Sequence, residues 1–563
     1  MKKSKLFPHI IGIIVGLAVL LSGFYLFCPA LNLQSIGMWV LIDASLLAYT
    51  LTARLLISGR DFKRIIRKNH RNKDGGTDRY RLMFSARYYI APLVLSALIL
   101  LMVIIGTHIF NAKLYSEILT VSEGDFTKDI AESVGTDSIA LMDTSSAQML
   151  GDREIGALSD VVSQYNVSDD YIQIDYNGKP VKVSALEYAG FFKWINNRDS
   201  GIGGYVTVDP VSMSATFTKC DGMIYTPSAF FGEDAFRYLR LKYPTLLLDN
   251  LHFEIDEEGK PFYVVSVIDK TIGPFGGKTV SGCIVLDPVT GDTQKYDVAD
   301  TPRWVDVVFH GYLLCDQYNW HGMYANGYFN SIFAKKDCKQ VTKYYVSEEE
   351  DTDDSAPTSD FGYIAKDGDI WIYTGITSVN GDSSNIGFLL ANERTGESRY
   401  YSIAGADEKS AMIAAEGEVQ EKGYQASFPS LINIEGNPTY IMVLKDSGGL
   451  VKLYATVNVE QYNIVTTAAT QADCIEKYKK ALGIEPKKEP EELTEIKVTI
   501  KDIKYIDIDG NTYIYLIDKK DNIYKAKAAS HEEMLLLEKG DTVKLSCSGN
   551  TIVKCEKVNA KDN

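Results

Sequence analysis

Histidine is scarce in this chain, with 7 in 563 residues, and none of them falls in an HExxH pair. GxSxG, SxxK and phosphate-loop patterns are equally absent. These gaps remove the zinc-peptidase, serine-hydrolase and nucleotide-hydrolase readings that such motifs would carry. The 8 cysteines include no CxxC spacing, so neither a zinc site nor a dense disulfide framework is written into them. Seven lie after residue 110, an odd number that leaves at least one thiol unpaired, and Cys547 and Cys555 flank a Ser-Gly-Asn turn at mismatched depths. With about 450 residues in that region, a core needs no such staple. No set of residues points to a cofactor or a bound metal.

A net positive charge is also missing from most of the chain. Up to Phe110, 14 Lys and Arg stand against 4 Asp and Glu, a net of +10, and with the whole chain at −16 the remainder carries −26. A body this acidic disfavours nucleic acid and anionic lipid as partners. The first 110 residues hold instead three apolar runs, 8–28, 36–57 and 88–110. Each has about the length a helix needs to cross a hydrocarbon core of roughly 30 Å. Lys2, Lys3 and Lys5 precede the first run, the connector 29–35 is uncharged, and residues 60–87 carry ten basic and three acidic side chains. The positive-inside rule then places the N-terminus and the basic loop 58–87 in the cytoplasm, and everything after Phe110 outside it. No small-x-small pattern follows the first run, and Cys28 follows Leu26-Phe27, so a retained anchor is expected rather than a signal peptide or a lipoprotein.

Two features inside the runs bear on contacts within the bilayer. Gly12 and Gly16 form a GxxxG pattern, which lets helices approach closely. Asp43 lies about a third of the way into the second run, where a carboxylate is costly unless it meets protein or water. These three residues are the candidates for contact with a membrane partner, although packing of the bundle itself accounts for them as simply.

Past the anchor, residues 138–143 have the pattern of a strand and 147–165 that of a helix. The chain then begins to repeat. The segment 174–180, Ile-Asp-Tyr-Asn-Gly-Lys-Pro, matches 255–261, Ile-Asp-Glu-Glu-Gly-Lys-Pro, and 434–438, Ile-Glu-Gly-Asn-Pro, is a shorter version. A second motif, 204–212, lines up with 282–290 and 387–395, and its last two copies turn at Thr290-Gly291-Asp292 and Thr395-Gly396-Glu397. Glycine supplies a positive φ at such turns, and an Asp or Asn just before can cap them through its side chain. Helical stretches at 232–243 and 406–422 precede two of the hairpins. Up to four helix-hairpin-strand units are expected between about 162 and 465, sharing a glycine at Gly178, Gly259, Gly368 and Gly436. Intervals of 81, 109 and 68 residues are too uneven for a solenoid and fit small α+β modules packed on one another.

A helix, a hairpin with a Gly-Lys-Pro turn and a strand ending Val-Leu-Asp-x-x-Thr-Gly-Asp resembles the PepSY module of bacterial envelope and secreted proteins. The residues carrying the likeness are 259–263 and 284–292, repeated in part at 387–397. The likeness spans about half the chain on a short motif. It implies an extracytoplasmic, non-catalytic module linked to peptidase inhibition or envelope regulation, and brings no catalytic residues. The first unit departs by inserting a helical segment, 186–197, between its strands. The whole chain also resembles Gram-positive-type membrane proteins, a likeness that brings no activity with it.

Between the second and third units, residues 303–333 concentrate aromatic side chains among small and polar ones. Trp304, Tyr318, Trp320, His321, Tyr324 and Tyr328 are the candidate surface for a protein, peptide or glycan partner, because amphipathic rings stack on many ligands. An aromatic core between modules explains them as well. The acidic run 348–354 has the pattern of a solvated linker and lacks the spacing of a calcium loop. After a helix at 470–482 and a charged linker at 485–492, the tail is expected to hold strands at 496–500, 505–508, 512–517, 522–526, 542–547 and 551–557. A turn at Asp509-Gly510 and a short helix with a Ser530–Glu533 capping box complete it. This order resembles a small OB-type barrel. With 12 basic and 12 acidic residues, and a place outside the membrane, the barrel is expected to contact protein or glycan rather than nucleic acid.

One fragment keeps an enzyme in view. Ser281-Gly282-Cys283 resembles the cysteine motif of cell-wall L,D-transpeptidases, but the histidine between serine and glycine is missing, and the repeat gives Cys283 a packing position. The expectation is therefore an α+β protein with a three-helix membrane anchor (1–110), a connector (111–165), tandem helix-plus-antiparallel-sheet modules (166–465), a helix and linker (466–493) and an OB-like barrel (494–563). Its expected role is that of a non-catalytic binding, scaffold or regulatory protein of the bacterial cell envelope. An envelope hydrolase or transpeptidase acting on peptidoglycan is the alternative.

Overall fold

The computed structural model describes residues 6–69, 89–130, 132, 141–342, 361–379, 384–484, 494–508, 511–528, 531–548 and 550–558. Lys2, Lys3 and Lys5, most of the basic loop, residues 138–140, the acidic run 348–354, the linker 485–492, the Asp509-Gly510 turn and Ser530 lie outside them. The protein divides into two compact units, residues 1–482 and 483–563.

Two helices near the N-terminus are long and apolar enough to cross a membrane: α1, Phe7–Phe27, and the first 22 residues of α2, Ile36–Asn69. Because α2 continues to Asn69, part of the expected cytoplasmic loop is helical. The two pack along the GxxxG face. A Cβ added at Gly12 would lie 2.9 Å from the Tyr49 carbonyl oxygen, and one at Gly16 would lie 3.1 Å from that of Ser45. The Ser45 hydroxyl donates to Gly16 O at 2.7 Å, and His9 Nδ1 meets the Tyr49 hydroxyl at 3.0 Å. Gly12→Leu is therefore expected to pry α1 from α2 at a cost of about 1–3 kcal/mol. A lower thermal midpoint in detergent checks this, and an unchanged one counts against it.

The third run departs from expectation. It forms α3, Ile90–Ile105, then bends by 42° into α4, His108–Ser116, and qualifies as a span only if the two pieces are taken together. The cause is tertiary. Thr107 is extended at ψ 158, while the backbone of Gly106 is pressed against Gly273 and Gly276 of a distant hairpin. The Tyr115 hydroxyl fastens the bend by donating to Gly106 O at 2.7 Å and accepting from the Gly277 N–H at 3.2 Å.

Four antiparallel sheets follow, with the repeated hairpin in each. The first holds Tyr165–Val167, Ile172–Tyr176, Lys179–Tyr188, Ile202–Asp209 and Ser214–Met223. The second is a meander of Leu247–Ile255, Pro261–Ile272, Gly276–Leu286 and Thr293–Asp297. The third is built on Gly362–Lys366, Asp369–Ser378, Gly387–Asn392 and Ser398–Tyr401, and the fourth on Ser430–Ile434, Asn437–Lys445, Val451–Asn458 and Val465–Ala468. Gly178, Gly259, Gly368 and Gly436 all have φ between 77° and 81°, which only glycine adopts freely. The later turn is held alike in every sheet: Asp209, Asp287, Asn392 and Asp446 each accept two backbone N–H bonds on Oδ1. A helix precedes each set of strands, capped by Asp143, Asp234, His310 or Asp407.

Several elements differ from the sequence pattern. Residues 141–143 form no strand; the connector instead contributes Val121–Glu123, which joins the third sheet by parallel pairing with Ser398–Tyr401. The helix expected at 147–165 is Thr144–Gly156 and a short Ser159–Val162, because Tyr165 already pairs with Tyr188. The insertion at 186–197 is strand to Tyr188 and helix only over Phe191–Asn197, the change occurring at Gly190 with φ 95°. The first and second sheets enclose one core, with Val206, Phe253, Val265 and Ile284 among its buried members. The third and fourth enclose another around Tyr373, Phe388, Tyr440 and Met442.

The second unit contains a closed five-stranded barrel. Its first strand, Thr494–Ile508, is continuous where two strands were expected. It pairs on one edge with Thr542–Ser548 and, beyond an irregularity at Ile500/Asp502, on the other with Asn511–Asp518, and so turns a corner of the barrel. The expected helix is a 3-10 turn, Glu532–Leu536. Cys547 lies opposite Ile552, and Cys555 opposite Leu545, and both thiols are free and buried.

Candidate functional site

The aromatic stretch becomes α5, Gly311–Tyr324, with a loop before it and a short π-helical turn, Asn330–Ala334, after it, and its candidate residues part company. Tyr318 is buried in the core between α5 and the third sheet. Trp304 stacks on Phe262, with ring centroids 4.7 Å apart, over the outer face of the second sheet. Trp320, Tyr324 and Tyr328 come together around α4. His108 stacks on Tyr324 at 4.8 Å, Tyr115 meets Trp320 edge-on at 5.2 Å, and Tyr324 stacks on Tyr328 at 6.1 Å. His321 donates from Nδ1 to Ser116 O at 3.0 Å. Gly12 and Gly16 face α2, and Asp43 Oδ2 accepts from the Ser96 hydroxyl of α3 at 2.5 Å, so these three residues serve contacts within the chain.

Cys283 is fully buried among Val264, Val285, Val305 and Val308. Its sulfur has Thr301 Oγ1 as a polar neighbour at 3.9 Å, and burial pushes the thiol up to about 12. A thiol held there is not available as a thiolate nucleophile near neutral pH.

The densest chemistry lies where the first three sheets meet. His252 and Glu254, two residues apart on one strand, point the same way with no exposed side-chain surface, and Nε2 meets Oε1 at 2.8 Å. The Glu254 carboxylate also accepts the N–H of Asp306 at 2.8 Å and of Val307 at 3.0 Å. Asp306 in turn accepts the Asp175 N–H from the first sheet at 2.7 Å and pairs with Arg394 Nη2 from the third at 2.8 Å. Arg394 reaches Asp369 at 2.8 Å and donates to Pro302 O, Arg303 O and Gly368 O. One guanidinium thus joins the third sheet to the loop that carries Asp306.

Burial sets the protonation of this junction. It opposes the charged form of His252, but the hydrogen bond and charge of Glu254 outweigh it and raise that pKa. Burial, then the neighbouring Glu254, push Asp306 well above the carboxylate range against the pull of Arg394. Glu393 is pushed up to about 8 by burial, with the Gly311 N–H working the other way, and its Oε2 has no hydrogen-bond partner among the described residues. His310 is pushed down to about 4 by burial and by His252. At neutral pH the junction therefore keeps Glu393 protonated and His310 neutral. Apart from Glu393 Oε2, the polar groups of His252, Glu254, Asp306 and Arg394 are spent on one another, on Asp369 and on backbone, which suits a clamp between modules.

A faint sequence signal marks this site. After the capping Asp or Asn, the first two modules read Pro210-Val211 and Pro288-Val289, whereas the third reads Glu393-Arg394. Both charged residues turn inward. His252 and Glu254 alternate with Leu251, Phe253 and Ile255, which places both on one face of the strand.

No family model and no curated protein matches the chain. Among solved structures, a crystal form of an ACO/RPE65 chimera aligns at 8% identity and a TM-score of 0.13 over 70% of this chain and 62% of its own. A mutant of Synechocystis ACO aligns at 8% identity and a TM-score of 0.14 over 72% and 64%. The chain spans less than two thirds of either protein, and neither likeness bears on fold or chemistry.

Proposed function

We propose that this is a membrane-anchored, non-catalytic binding or scaffold protein of the cell envelope, with its modules and barrel outside the cytoplasm. The observation that carries this reading is the docking of the second module onto one end of the anchor. In the connector between α1 and α2, the Leu31 N–H donates to Pro244 O at 2.6 Å, Asn32 to Thr245 O at 2.9 Å and Gln34 to Lys270 O at 2.7 Å. Arg240 Nε donates to Cys28 O at 2.9 Å, and Gly106 at the end of α3 lies against Gly273 and Gly276. The module therefore gathers the end of α1, the start of α2 and the end of α3, which is the end away from the basic segment. With that segment cytoplasmic, the body is outside.

Two finer features fit this role. Repeated helix-plus-hairpin modules with Asx-capped turns agree with the PepSY likeness, whose members are regulatory rather than catalytic. The barrel's strand order 1-2-3-5-4, with a 3-10 turn between the third and fourth strands, supports an OB-type assignment and a contact module for protein, peptide or glycan. The test uses the full chain in a Cys220→Ser background, since every other cysteine is buried. Single cysteines at Ile413 and Leu536, 58% and 80% exposed, are expected to react with an impermeant maleimide on intact cells, and one at Ser85 only after lysis. The opposite pattern overturns the placement. Crosslinking in native membranes is expected to trap an envelope partner, and recovery of the chain alone overturns the scaffold role.

A further inference from the structure

We propose that the extramembrane body rests on the bilayer through two aromatic footings, one beside the end of α1 and one beside the end of α3, which insert into the lipid interface. This rests on the reading of α1 and α2 as membrane spans.

The second footing is the clearer. Trp320 and His321 of α5 lie against Tyr115 and Ser116, whereas Tyr324, later in α5, stacks on His108 at the start of α4. The two helices are thus antiparallel, and α5 runs down toward the membrane end of α3. His108 follows Ile105, the last residue of α3, by three positions, so it stands within about 10 Å of that end. The ring series continues past the end of α5, from Tyr324 to Tyr328 at 6.1 Å, to Phe329 at 5.8 Å, and to Phe333 at 6.4 Å. There it ends in open space. Phe329 is 66% exposed, Ile332 46% and Phe333 79%, and on the neighbouring α4 Phe110 is 68% exposed and Leu114 51%.

The first footing is tied to α1 in the same way. Arg237 donates from Nε to Tyr25 O at 3.2 Å, stacks its guanidinium 4.8 Å from the Tyr25 ring and donates from Nη1 to Phe231 O at 2.9 Å. Tyr25 is two residues from the end of α1, so Phe231 is held at that level. Phe231 packs on Trp194 and Phe191, which meets Phe192 edge-on at 5.8 Å. Phe231 is 54% exposed, Ile195 45% and Phe192 78%.

Exposed phenylalanines cost free energy in water, and two such groups at the level where helices leave the bilayer recover it in the acyl-headgroup boundary. Charge agrees with lipid as the occupant. The body as a whole is acidic, yet Lys193 flanks the first footing and Lys335 and Lys336 follow the second, where they meet headgroup phosphates, while Arg198 is held by Glu233 and the Trp194 ring.

The test is nitroxide depth measurement on the full chain in liposomes of phosphatidylcholine and phosphatidylglycerol. Single cysteines replace Phe192, Phe333, Leu17 within α1, and the remote Ile413, all in the Cys220→Ser background. At 192 and 333 collision with oxygen is expected to exceed collision with a nickel chelate, as at 17, with the ratio reversed at 413. A water-like ratio at 192 and 333 alongside a lipid-like ratio at 17 overturns the footings alone. A water-like ratio at 17 overturns the span reading itself. Spin-spin broadening at 333 with both collision rates suppressed assigns the patch to a second copy of the chain and overturns the lipid assignment.

Discussion

Arg394→Met is expected to destabilise the junction of the first three sheets by about 3 kcal/mol or more, since each buried acceptor left without its donor costs about 1–3 kcal/mol. The size follows from what stays behind. Asp306 is 1% exposed and Arg394 8%, and Asp306 also feels Glu254, whose carboxylate is fully buried. Without the guanidinium, the Asp306 carboxyl, already pushed toward its protonated form, loses the one group that favours its charge, and three carbonyl oxygens lose their donor. Hydrogen exchange in the full chain should show it locally, as lost protection across Leu247–Ile255 and Gly387–Asn392 with the barrel unchanged. Arg394→Met combined with Asp306→Leu should recover part of the loss, because no buried charge is then left alone. Equal protection in Arg394→Met and the parent would show that the clamp is not stabilising.

Glu393→Gln should change how stability depends on pH. Glu393 holds its proton up to about 8 in the folded protein and up to its ordinary 4.5 when unfolded. Between those values the folded state binds the extra proton, so stability falls as pH rises, by about 1.4 kcal/mol per pH unit at most. Above about 8 the whole penalty is present. Gln cannot ionise, so the variant should lose this decline and be the more stable protein at alkaline pH. Glu408, pushed up to about 7 by burial, gives a decline of the same sign from 4.5 to 7. His310, pushed down to about 4, acts oppositely, because protons on the unfolded chain cost stability as pH drops below 6.5. Both remain in the variant, so the difference in thermal midpoint between the two proteins between about pH 5 and 9 isolates Glu393. Parallel curves would contradict the assignment.

Local features of the sequence were legible where a single residue decides the geometry. Gly178, Gly259, Gly368 and Gly436 stand out because their turns need a positive φ, and the Asx caps because they act within two to four residues. GxxxG announced a close approach of helices but not its partner, which proved to be α2. The aromatic stretch was visible as a concentration of rings, yet nothing local separates Tyr318, packed in a core, from Phe333, left in the open. Arg394 and Asp306 lie 88 residues apart, so Glu393-Arg394 in place of Pro-Val was the available trace of the junction. The break after α3 was out of reach as well, because Gly106 is deformed by a hairpin about 170 residues away.

By itself, then, the sequence determined the apolar helices, the repeated hairpins and the acidic body, since hydrophobic periodicity, turn conformation and net charge are properties of neighbours along the chain. The tertiary structure alone decided that the sheets share cores in pairs, that four buried charged residues clamp three of them, and that the body gathers one end of the anchor. Those outcomes depend on which distant groups meet and how much water they exclude. A buried charge or an exposed ring acquires its cost only once the surrounding surfaces have closed.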